Sequence, residues 1–113
     1  MEDETNQIMT QPSFSVTRWP GAVAATESDI QKRLQDESLR AYRWANAPHD
    51  KYSAHLHSYA KVIYVVSGSI TFGLPDTGGQ IRLDPGDKLD LPAGVTHDAE
   101  VGPQGVVCLE AHR

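Results

Sequence analysis

The stretch HLHSYAKVIYVVSG, residues 55–68, sets two histidines one residue apart, ahead of a β-branched apolar run that a glycine closes. On a strand, residues two apart point to the same face. His55 and His57 therefore stand side by side, as a pair of metal ligands requires, with Leu56 turned away. Lys61 opens the apolar run that follows. A cation is thus set close to two groups suited to binding another cation.

Around this stretch the texture is that of short strands. From about residue 40 the runs RAYRWAN, YSAHLH, KVIYVVS, SITFGL, QIRLD, DKLDLP, VTHDAEV and GVVCLEAH follow one another at close spacing. Several alternate, as in Ile70, Phe72 and Leu74, or Val95, His97, Ala99 and Val101. Between them stand Ser67-Gly68-Ser69, Asp76 to Gly79, Asp84-Pro85-Gly86-Asp87 and Pro92-Ala93-Gly94, residues suited to turns. Such punctuation predicts an all-β fold, an antiparallel sandwich or barrel. Upstream, residues 1–12 read as a flexible polar tail. Residues 13–39 read as an N-terminal strand in SFSVTRW and one short helix over about 27–37. Thr26 and Asp29 form its capping box, and Ile30, Leu34 and Leu39 its narrow apolar stripe. Residues 40–113 form the barrel.

His97 shares the face of Val95 and Ala99. If that face lines the interior, His97 joins His55 and His57, and three imidazoles on two strands can hold one divalent cation with positions left open. His49 and His112 read as surface or hydrogen-bonded histidines.

Residues 55–68 resemble the first motif of the cupin family, His-x-His followed by Glu and then Gly, here His55, His57, Lys61 and Gly68. Residues 86–97 resemble the second, with Gly86, Pro92, Gly94 and His97 at every spacing; the usual asparagine falls at Val101, a departure. The resemblance covers roughly residues 40–111. It implies a cupin-type antiparallel β-barrel or jelly roll with one short N-terminal helix. It also implies one divalent transition metal (Zn, Ni, Fe, Mn or Cu) on His55, His57 and His97.

The glutamate of the first motif is Lys61 here, and three readings of it stand side by side. It points at the metal centre and anchors a substrate carboxylate or acts as a base. It pairs with an internal carboxylate such as Asp90 or Glu110. Or no metal binds, and the lysine supplies the charge of a ligand pocket. Tyr42 and Trp44, two apart on one run, are candidates for a substrate-pocket wall, or else for core or a dimer contact. Tyr59 lies between the histidines and Lys61, at the expected pocket mouth.

Composition bounds the partners. The chain has 113 residues, ten basic and fifteen acidic, with net charge −5. That weighs against nucleic acid, which needs clustered Lys and Arg. Lys32, Arg33, Arg40 and Arg43 are interleaved with acids and read as a solvated face. Cys108 is the one cysteine, so no internal disulfide forms, and its apolar neighbours argue for a buried inert thiol. No apolar run reaches 18 residues, and MEDETNQIMTQ has neither the basic start nor the apolar stretch of a signal peptide. The expectations are no membrane and a cytoplasmic location. The function expected is a metal-dependent enzyme acting on a small carboxylated molecule such as a sugar acid, thiol or amino acid derivative, by dioxygenase, isomerase or lyase chemistry. The alternative is a non-catalytic small-molecule-binding module. A homodimer is expected, with SFSVTRW adding to a partner's sheet edge.

Overall fold

The computed structural model describes residues 14–113, and the expected tail over 1–12 lies outside them. Seven strands and one helix follow in chain order: β1 Ser15–Thr17, α1 Glu27–Asp36, β2 Tyr42–Asn46, β3 Lys51–His55, β4 Lys61–Leu74, β5 Gly79–Leu83, β6 Lys88–Leu91 and β7 His97–His112.

Two long strands organise everything else. β4 and β7 pair antiparallel from Lys61 opposite His112 to Gly73 opposite Asp98. The first half of β4 also pairs with β6, which in turn pairs with β1. The second half of β4 pairs with β5. β7 takes β3 along its first half and β2 along its second. Inner-face residues of both halves, among them Ile63, Val65, Ile70, Phe72, Leu83, Leu89, Val101 and Cys108, form one buried cluster. The two halves therefore close on a shared core, which is the jelly-roll arrangement.

Eight expected runs become fewer strands because two expected breaks are bulges. KVIYVVS and SITFGL are one strand, and so are VTHDAEV and GVVCLEAH. The register shifts between Val65 and Ser67 and again between Gly68 and Ile70. A bulge bends a strand without ending it, so β4 leaves one half of the molecule and enters the other. Gly68 and Gly105 sit at this bend with φ of 76° and 78°. A Cβ on Gly68 would lie 2.0 Å from the Gly105 carbonyl oxygen. The missing Cβ of Gly68 is what lets the two backbones touch there.

The outer face of the first half carries Val62, Tyr64, Leu109 and Ala111, and α1 covers it with Ile30 and Leu34. The Thr26–Asp29 capping box is present in full. β1 seats on β6 of its own chain, with Val16 opposite Leu89. Among the described residues, no helix is long and apolar enough to cross a membrane.

Candidate metal centre and its cavity

His55 ends β3, and His97 begins β7 directly opposite it in the register. His57 lies just beyond the end of β3, not within a strand as expected. Its place comes from the second motif instead: the Gly94 N–H donates to the His57 carbonyl at 2.8 Å. Gly94 has φ of 78°, the left-handed bend that Pro92-Ala93-Gly94 leads one to expect. The loop that delivers His97 therefore also pins His57.

One ring nitrogen from each of His55, His57 and His97 falls within 4.8 Å of the others, the one such cluster among the described residues. Ring centroids are 4.9, 4.4 and 5.4 Å apart. Nδ1 of His55 is 2.6 Å from the Ser53 carbonyl, and Nδ1 of His97 is 2.9 Å from the Val95 carbonyl. A carbonyl only accepts, so both Nδ1 atoms carry a proton, and Nε2 is the nitrogen each ring can offer to a metal. Burial holds the His97 pKa below the ordinary histidine range, and burial followed by the Lys61 charge does the same for His57. Imidazoles, two of them with Nδ1 anchored to a carbonyl, are a donor set that divalent transition metals take. The residues present fit the group.

These histidines open into a cavity of about 390 Å³ that Tyr42, Trp44, Tyr59, Lys61, Phe72 and Glu110 also line. All the sequence-predicted site residues thus meet at one place. A larger depression of about 660 Å³ lies on the other face of the sheet, lined by side chains such as Lys51, Arg82, Asp98 and Glu100. It holds no metal-ligating cluster, and size alone does not make it the chemical site.

Lys61 has 11% of its side chain exposed. Its Nζ is 3.4 Å from Nε2 of His57 and 3.5 Å from Oε2 of Glu110. Of the two carboxylates expected as partners, Asp90 lies on the outer face, paired with Lys88 and Arg113. Glu110 lies opposite Ile63 and faces inward.

Glu110 is the site residue that sequence reasoning placed only as a possible counterion. It is 4% exposed. It accepts from the Tyr42 hydroxyl at 2.6 Å, from Trp44 Nε1 at 3.0 Å and from His112 Nε2 at 3.0 Å. The signal for it was the alternation Cys108, Glu110, His112 along β7. That pattern gives a face but no partners. His112, expected as a surface or hydrogen-bonded histidine, is bonded to Glu110 and stacks on Tyr59 with centroids 4.2 Å apart, and Tyr59 lies 5.0 Å from the His57 ring. Tyr42 is half exposed and belongs to the cavity wall rather than the core.

Burial alone would raise the Glu110 pKa, but hydrogen bonds from Tyr42, His112 and Trp44 and the Lys61 charge outweigh it and lower it. A carboxyl whose pKa is depressed on folding stabilises the fold fully above the unfolded value, about 4.3 for glutamate. That contribution fades as pH falls through the lower folded value. Glu110→Gln is therefore expected to be less stable than the wild type near neutral pH, with the gap narrowing below about pH 4. Urea denaturation midpoints at several pH values check it, and a gap that stays constant down to acid pH contradicts it.

No protein-family model and no curated protein matches this chain. Solved structures do. A structure of DMSP lyases superposes with TM-score 0.60 at 27% identity, over 68% of this chain and 39% of that one. An RmlC-like cupin from Shewanella frigidimarina gives TM-score 0.57 at 26% identity, over 66% of this chain and 64% of that one. The polyketide cyclase RemF from Streptomyces resistomycificus gives 0.57 at 28% identity, over 66% and 54%. The chain thus spans about two fifths of the lyase it resembles, just under two thirds of the cupin and about half of the cyclase.

Proposed function

We propose that this chain, whose fold is that of the cupins it resembles, is a metal-dependent enzyme acting on a small carboxylated molecule. The observation that carries the reading is the convergence of three imidazoles in the wall of a cavity that aromatic side chains also line. His55, His57 and His97 would hold one divalent transition metal, which would supply a Lewis acid for oxygen donors of a substrate. Lys61, beside His57, would bind the substrate's carboxylate and orient it toward the imidazoles. Tyr42, Trp44 and Tyr59 would wall the organic part and exclude water. That a lyase and a cyclase are among the similar structures supports turnover rather than binding alone, and favours lyase or isomerase chemistry over oxygenation.

Calorimetric titration of chelator-stripped protein with Zn, Ni, Fe, Mn and Cu tests the metal. One equivalent of at least one of them is expected to bind. No binding of any would end the metalloenzyme reading and leave the histidines as polar cavity walls.

A further inference from the structure

The carboxylate of Glu110 belongs to neither histidine motif, yet it arranges one side of the cavity. Its acceptor sites are taken at short range by Tyr42, Trp44 and His112, at 2.6, 3.0 and 3.0 Å. Lys61 Nζ stays at 3.5 Å, beyond the roughly 2.7–2.9 Å of a short charge-assisted bond. Its other contact, to His57 Nε2, is equally long at 3.4 Å. An ammonium group has three donors and no acceptor. The lysine is therefore held by charge and by one long hydrogen bond to His57, which leaves two of its three donors for a ligand. Around it the wall is aromatic and aliphatic, with Tyr42, Trp44, Tyr59 and Phe72. These faces can pack the organic part of a ligand, while Lys61 is the one cation-bearing side chain among the lining residues to fix its charged group.

We propose that Glu110 is a positioning residue that holds the Lys61 ammonium as a carboxylate-recognition group. The cavity then selects small carboxylates with an apolar or aromatic portion over their uncharged analogues. This rests on the reading of the cavity as the ligand site and needs no metal.

The positioning role has a distinctive sign. As a bare charge, Glu110 repels an anion, and its neutralisation would tighten carboxylate binding. As the holder of Lys61, its neutralisation loosens binding. Chelator-stripped protein is titrated with phenylacetate and, separately, with phenylacetamide, followed by ligand-observed NMR. The wild type is expected to prefer phenylacetate at least tenfold. Lys61→Met should abolish that preference, and Glu110→Gln should cut it at least threefold. Glu110→Asp, which withdraws the carboxylate by one methylene, serves if Glu110→Gln does not melt cooperatively, and its preference should fall too. Equal binding of the two probes by the wild type, binding of neither, or an undiminished preference in the folded Glu110 variant overturns the proposal. Metal failure with the preference intact would sink the metal reading alone; metal binding without a preference would sink this one alone.

Discussion

His97→Ala is expected to lose metal binding almost entirely, by a factor well beyond the ~10–100-fold that follows loss of an outer-shell partner. His97 is 2% exposed and opposes His55 at the junction of β3 and β7, and among the described residues these two and His57 form the one ligand cluster. Two imidazoles then remain, and a two-ligand site gives up most of its affinity to bulk water and competing chelators. The measurement is competition against a chromophoric chelator. Thermal stability supplies a second readout. A ligand that binds only the folded state at 100 times its Kd adds ~2.7 kcal/mol, so metal should raise the wild-type Tm and leave that of His97→Ala unmoved. His112→Ala is the contrast. It removes an imidazole from the same wall, but one outside the three-histidine cluster, and metal affinity should stay within the outer-shell range. Equal metal affinity in wild type and His97→Ala would show that the metal, if bound, sits elsewhere.

The second large effect is structural. Gly68→Ala is expected to destabilise the fold by ~3–5 kcal/mol, a large part of what a small domain has. Two causes add. A non-glycine residue at positive φ costs ~1–2 kcal/mol, and the Gly68 φ is 76°. The added Cβ would also lie 2.0 Å from the Gly105 oxygen, 2.8 Å from its carbonyl carbon and 3.0 Å from the Val106 Cα. All three are backbone of the neighbouring strand, so relief requires prying β4 from β7 at the bend that joins the two halves. Gly94→Ala isolates the first cause. Its φ is 78°, but nothing lies within 4 Å of the added methyl, so only the conformational cost of ~1–2 kcal/mol applies. Urea denaturation of both variants separates the two. Similar midpoints would show that the close approach at Gly68 relaxes without cost.

The fold was legible because its signals are local. The capping box at Thr26 and Asp29, the stripe of Ile30 and Leu34, and the turns at Gly86 and Gly94 each depend on a few neighbouring residues, and each appears where expected. The Ser67-Gly68-Ser69 break was misread for a related reason. A glycine at positive φ serves a turn and a bulge equally well, and only the partner strand distinguishes them.

Within the site the same division holds. The spacing of His55, His57 and His97 became a three-imidazole expectation only through the resemblance of both motifs to those of cupins, and His57 takes its place from the Gly94 loop rather than from a strand. Alternation along β7 tells in from out for His97, but not for a residue beyond a strand's end. What Lys61 does could not be settled that way. Asp90 and Glu110 were equal candidates, because both alternate on strands next to β4. Pairing placed Val62 opposite Asp90 and Ile63 opposite Glu110, which sends one carboxylate outward to Lys88 and Arg113 and the other inward to Tyr42, Trp44 and Lys61. A strand's own residues carry its alternation, whereas the register between strands far apart in the chain is chosen only when the whole core packs.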